Sequence, residues 1–219
     1  MRELFQADLK SLGDQLSEIA SLVRAAIDQA RTSLETADVE LAEQVITNDA
    51  RIDYLQNALD EKAIELLALQ GPVASDLRTV VAALRMSSSL ERMGDLARHI
   101  AQLVRLRYPE LVLPESRRER FAQMAEAAVQ VATEVEQLLL THDLDHASQV
   151  VKINTQINEV HAENFKAVAA EDWDASAPTT VDVTLASRYL ERFADHGVSV
   201  ARKVTYLVTG EWEPHVQSA

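Results

Sequence analysis

The stretches "LERMGD", residues 90–95, and "LERFAD", residues 190–195, spell one pattern, Leu-Glu-Arg-x-x-Asp, twice. In each copy the two acids stand four residues apart, so on a helix they lie one above the other on the same face. In the first copy they are Glu91 and Asp95, and in the second Glu191 and Asp195. Arg92 points about 100° away from that face and does not sit between its two acids. Like charges at this spacing repel, so the pair slightly disfavours the helix that carries it. A single pair of this kind is an ordinary solvated face. Two copies at matching places raise a different question, which the flanking sequence answers.

Outward from the motif, apolar residues recur in steps of three and four. Leu9, Leu12, Leu16, Ile19, Val23, Ala26 and Ala30 form one seam, the mark of an amphipathic helix from about Leu4 to Leu34. Thr36 to Asp38 offers caps for a second helix, with Leu41, Val45, Ile52, Leu59 and Leu66 on its seam, ending near Gln70. Gly71 and Pro72 stop it. Ser75 and Asp76 restart the chain as a third helix through Leu84, Leu90, Ile100 and Val104. "YPELVLPES", 108–116, breaks the pattern with two prolines and marks a boundary.

The pattern then repeats. Phe121 to Leu138 reads as helix four. Thr141 and Asp143 cap helix five, with Ala147, Val150, Ile157, His161, Phe165 and Val168 on its seam. A polar loop, "EDWDASAPTT", leads to helix six from about Thr179 to Val208. The expected fold is all-α, two tandem three-helix bundles with six long helices. The first repeat spans 1–109, the second 116–210, and 211–219 is a frayed tail. In tandem they make an elongated molecule.

Composition narrows the function. Gly and Pro number five each, which favours helices over strands and turns. There is no cysteine, which excludes disulfides, thiolate zinc sites and cysteine nucleophiles. The net charge of −14 is shared by both halves, so neither is built to grip nucleic acid or anionic lipid. The charged N-terminus does not read as a signal peptide, and no apolar run approaches the ~20 residues that span a bilayer. A cytoplasmic protein is expected.

One carboxylate stands where an apolar residue belongs. The helix-two seam runs Leu41, Val45, Asp49, Ile52, and Asp53 follows Asp49 by four. Carboxylates near a core are costly unless paired or metal-bound. Asp49, Asp53, Glu91 and Asp95 on two adjacent helices make an oxygen-rich site suited to Mg, Mn, Fe or Zn. Equally, the same acids fit ion pairs with Arg78, Arg85 or Arg92. In the second half, Asn154 and Asn158 stand where the first has Asp49 and Asp53, so two charges are lost and the cation site weakens. His161 can add a nitrogen, or simply pack. His99, four residues after Asp95, can pair with it, whereas His196 points elsewhere.

Two three-helix repeats, each ending in a Glu-Arg-x-x-Asp helix, resemble the PhoU family. "LERMGDLARHIA" and "LERFADHGVSVA" are similar to its signature, "NDARIDYLQ" to its second-helix pattern, "QGPVASDLR" to its third-helix entry, and "YLVTGE" to its usual ending. The resemblance covers essentially the whole chain. It implies a cytoplasmic regulator and no enzyme. Such a protein would keep the phosphate-starvation response silent when phosphate is ample, linking the phosphate transporter's ATPase subunit to a phosphate-sensing histidine kinase. The resemblance also implies a homodimer, and divalent or trivalent metal ions on faces formed by Glu91, Asp95, Glu191 and Asp195, with Asp49 and Asp53 beside the first pair. Asn154, Asn158 and Ala194, where the first copy has Gly94, are the departures. The enzyme alternative, a carboxylate-bridged di-metal bundle, wants Glu-x-x-His pairs, but Gly94 and Ala194 occupy the third position after each Glu. A plain helical scaffold is the other alternative.

Overall fold

A computed structural model of the chain describes residues 2–211. Within them the chain forms α1 (Arg2–Thr36), α2 (Val39–Gln70), α3 (Ala74–Arg107), α4 (Glu115–Thr141), α5 (Leu144–Val168) and α6 (Ala177–Thr209). The described residues contain no strand. The expected tail lies outside the described residues, except for Glu211.

Local chemistry sets the helix ends. The Asp38 side chain accepts a hydrogen bond from the Leu41 N–H and caps α2, and Gly71 ends it at φ 53°, a left-handed conformation that glycine adopts without a Cβ penalty. Asp143 caps α5 through the Asp145 N–H. Ser176 caps α6 through the Thr179 N–H, and α6 starts two residues before the expected Thr179. Pro178 belongs to its first turn, where a missing N–H loses nothing. The Trp173 indole N–H donates to Thr180 Oγ1 at 2.8 Å and ties the preceding loop to α6. Ser75 and Asp76 do not cap α3. Val73 is the extended residue at that end and has no side-chain cap, and its carbonyl accepts the Asp76 N–H.

The α1 seam is buried as its spacing predicts: Leu12, Leu16, Ile19 and Val23 are at most 3% exposed. Each fully buried side chain of this size stabilises by about 1.5–3 kcal/mol. Within the second half, the end of α5 departs from its predicted seam. Phe165 is 50% exposed, and Asn164 beside it is buried at 2%. Consecutive residues of a helix point about 100° apart, so burying one leaves the other outside. The buried Asn164 donates its Nδ2 to Ser187 Oγ of α6 at 3.2 Å, the same hydroxyl that His161 Nδ1 meets.

The two bundles lie side by side. α1 packs on α4 and α3 on α6, so the seams merge into one continuous core. α3 and α6 run antiparallel: Arg107 meets Asp182, the His99 ring lies 5.2 Å from the Tyr189 ring, Met93 approaches Gly197, and Arg78 approaches Gly210. This register sets the two Glu-Arg-x-x-Asp copies level with each other at the middle of the helix pair. Each helix of the pair also carries a glycine pressed against a neighbour in its own bundle. A Cβ at Gly197 would stand 2.6 Å from Val131 Cγ1, and one at Gly94 would stand 2.9 Å from Ile52 Cδ1 and 3.3 Å from Asp49 Oδ1. Gly94 thus lets α2 bring Asp49 against the first motif.

Candidate functional site

The first motif faces α2. Asp49, at 7% exposure, sits on the buried seam of α2, and Asp95, at 9%, is buried on α3. Glu91 is half-buried one turn from Asp95, while Asp53 is exposed at the rim. The structure therefore brings together Asp49, Asp95 and Glu91, with Asp53 close enough to be felt by Asp49 and Glu91.

A cation that the sequence reading did not name holds the cluster. Arg98, one turn beyond Asp95, lies between α2 and α3. Its Nε is 2.5 Å from Asp49 Oδ2, an ion pair that lacks hydrogen-bond alignment, and its Nη2 donates to Asp95 Oδ1. Arg92 Nη1 donates to Asp95 Oδ2 at 2.7 Å. Of the three arginines weighed as ion-pair partners, Arg92 alone reaches the cluster. Arg78 and Arg85 lie toward the other end of α3. His99 does not pair with Asp95, whose partners are Arg92 and Arg98. It packs on Tyr189, and its Nδ1 is buried without a hydrogen-bond partner.

Charge in this cluster is poorly balanced. Burial pushes the Asp49 carboxyl up to about 6, against the pull of Arg98 and with help from Asp53 and Asp95. Burial pushes Glu91 up to about 7, reinforced by Asp95 and Asp53 and opposed by Arg92. For Asp95 burial acts in the same direction, but the guanidiniums of Arg98 and Arg92 win and hold it below the usual carboxylate range. One guanidinium shared by two acids, with two more acids nearby, leaves an electron-rich pocket that favours an additional cation or proton. Along the same α2–α3 seam, Gln56 Nε2 donates to Asp60 Oδ2 at 2.5 Å and Ser87 Oγ donates to Asp60 Oδ1 at 2.9 Å, so the polar strip runs well past the motif.

The second motif faces α5 and is thinner. Glu191 is buried at 9% exposure. Its carboxyl is raised by burial first, then by Asp195, against Arg188 and Arg192. Arg188 Nη1 donates to Glu191 Oε2 at 2.7 Å, and Arg192 lies 3.8 Å from Asp195. Asn154 Nδ2 donates to Asp195 Oδ1 at 3.4 Å, and its Oδ1 is buried without a partner. Asn158 is exposed and stays apart. His161 is placed one turn further along α5, where its Nδ1 lies 2.8 Å from Ser187 Oγ and its ring stands edge-on to Phe165.

As for a metal, the chemistry of the first donor set fits a hard cation: oxygens only, from two helices, with excess negative charge. Arg98 is the internal competitor for that place. The second set offers Glu191, Asp195 and the free Asn154 Oδ1, fewer charges and one orphaned acceptor. Among the described residues no group of three or more His, Asp or Glu side chains is gathered at ligand spacing.

These features define a class: an all-helical tandem-repeat protein whose repeats present one carboxylate face each. Comparisons with known proteins make the assignment specific. The family model described as the PhoU domain matches residues 16–104 and again 121–204. The chain is 39% identical over 210 residues to the phosphate-specific transport system accessory protein PhoU homolog 2 of Mycobacterium tuberculosis, covering 96% of this chain and 99% of that one. It is 29% identical to PhoU homolog 1 of Thermotoga maritima, covering 94% and 90%. The crystal structure of PhoU from Pseudomonas aeruginosa superposes with a TM-score of 0.85 at 26% identity, covering 94% of this chain and all of that chain. The phosphate transport system regulatory protein PhoU from Streptococcus pneumoniae does so at 0.81 and 28%, covering 96% and 99%. The chain belongs to the PhoU family.

Proposed function

We propose that this protein is a phosphate-responsive regulator that silences the phosphate-starvation response and phosphate uptake when phosphate is ample. It acts in the cytoplasm as a homodimer, linking the ATPase subunit of a phosphate transporter to a phosphate-sensing histidine kinase. The observation that carries the reading is the whole-length match of both repeats to phosphate transport accessory and regulatory proteins. No helix among the described residues is long and apolar enough to cross a membrane, which agrees with a role performed through contact with membrane partners. The reading assigns no reaction to the carboxylates. Their work is to set the charge of two helix faces.

Metal belongs to the same reading. Asp49, Glu91 and Asp95, with Asp53 at the rim, would hold a divalent or trivalent ion in the first repeat. Glu191, Asp195 and Asn154 would hold one more weakly in the second. When bound, the ion supplies positive charge that neutralises each face. Glu91→Ala with Asp95→Ala lowers metal content by elemental analysis and leaves helicity intact; unchanged metal content removes this assignment.

The regulatory reading is tested by deleting the gene in its source organism and following a phosphate-starvation reporter in ample phosphate. Derepression is expected, reversed by the wild-type gene. A reporter that stays silent in a strain without a second copy of the gene overturns it.

A further inference from the structure

A second chemically distinct place lies at the far end of the α3–α6 pair. There the first turns of α3 and the last turns of α6 enclose a groove of about 270 Å³. Leu77, Val81 and Ala82 form an apolar wall, and Arg78, Arg85 and Lys203 line the rest with Tyr206. In a chain of net charge −14, this corner is cationic. Arg78, Arg85 and Lys203 form no ion pair with any carboxylate among the described residues, including Asp76 and Glu211 at the open end. At the opposite end of the same helix pair Arg107 finds the buried Asp182, at 2.6 Å.

Lys203 is the informative group. Its ammonium is half-buried and donates only to neutral oxygens, the Ser199 carbonyl at 2.9 Å and the Ser199 hydroxyl at 2.5 Å. Burial first, then Arg85 and Arg202, pull it below the ordinary lysine value. A partly desolvated ammonium that shares the groove with the Arg85 and Arg78 side chains wants an anion, and the guanidinium fork suits a phosphoryl group. The apolar wall gives a ligand's organic part somewhere to lie. A volume near the lower limit of small-molecule sites suits a compact ligand.

We propose that this groove binds a small organic phosphate of about nucleoside-monophosphate size. Lys203, Arg85 and Arg78 hold its phosphate, and its organic part lies against Leu77, Val81 and Ala82. The inference rests on this groove alone and is independent of the regulatory reading above.

The test is calorimetric titration of the full-length protein at low salt with adenosine 5′-monophosphate, inorganic phosphate and a short polyglutamate peptide. Saturable binding of the nucleotide is expected, tighter than that of inorganic phosphate because the apolar wall adds contact. Each loss of a charge-assisted bond weakens binding about tenfold, so Lys203→Met and Arg85→Gln each do so. Arg120→Gln, an exposed arginine on α4 outside the groove lining, leaves binding unchanged. Arg85 is exposed, so its variant tests the site even if Lys203→Met folds poorly. Four results overturn the proposal: no saturable nucleotide binding at millimolar concentration, inorganic phosphate bound as tightly as the nucleotide, equal weakening by Arg120→Gln, or binding of the acidic peptide alone.

Discussion

Replacing Arg98 with Met isolates what holds the first carboxylate face. Methionine keeps an apolar stem where the arginine stem packs, and removes the guanidinium. Asp49 and Asp95 then lose the charge they share, while Arg92 still serves Asp95. Breaking a fully buried pair by removing one partner costs about 3–5 kcal/mol, and an exposed pair contributes about 0–1 kcal/mol. The side chains of Arg98, Asp49 and Asp95 are 29%, 8% and 12% exposed, nearer the buried limit. The expected loss is therefore about 2–3 kcal/mol at pH 7.5, read from urea unfolding. The pH dependence has a definite sign. A carboxyl raised to about 6 contributes stability that is fully present below its unfolded value and is lost as pH rises through about 6. At pH 5 Asp49 is largely protonated and needs Arg98 less, so the loss there shrinks to about 1 kcal/mol. A loss below about 0.5 kcal/mol at pH 7.5, or the same loss at both pH values, refutes the argument that Arg98 neutralises a buried acid pair.

Four further outcomes are expected. Millimolar Mg or Mn restores part of the stability that Arg98→Met loses, measured as an upward shift of the unfolding midpoint absent from Arg98→Met/Glu91→Ala/Asp95→Ala; no difference between the two detaches the cation reading from these acids. Glu91→Gln stabilises at pH 8 by about 1–2 kcal/mol after allowance for solvent screening, and by little at pH 4. The wild-type carboxyl, raised to about 7, loses its stabilising protonated form as pH rises through that value. Chemical unfolding at the two pH values checks this. Gly197→Ala destabilises by about 1–2 kcal/mol despite better helix propensity, because the stiff Val131 side chain blocks the new methyl at 2.6 Å. Gly94→Ala costs less, since it meets the flexible tip of Ile52.

The helices and the first carboxylate face were legible because they break or keep a period. Asp49 stands out as an acid on an apolar seam, and its burial at 7% exposure follows from that position. Glu91 and Asp95 stand out because the chain repeats them. Arg98 was not legible. An arginine three residues after an aspartate reads as a solvent-face pair, and its reach to Asp49 depends on how α2 and α3 are set against each other. That setting is made by Gly94, whose missing Cβ leaves room for Ile52 and Asp49. The lateral union of the two bundles was hidden for a similar reason. A single seam on α1 or α3 explains packing within one repeat. The second contact, of α1 with α4 and α3 with α6, has no counterpart in the period of a single repeat. Asn164 was missed because Phe165 beside it is the better apolar match, and its inward place depends on Ser187 of α6 as a partner.

The account centres on the two carboxylate faces as the working surfaces of a phosphate-responsive regulator. The most direct measurement is complementation of the deletion strain with Glu91→Ala/Asp95→Ala/Glu191→Ala/Asp195→Ala, expressed at wild-type level with its helicity verified. Wild type silences the phosphate-starvation reporter in ample phosphate, and the account predicts that the four-site variant leaves it switched on. Full silencing by that variant would contradict it.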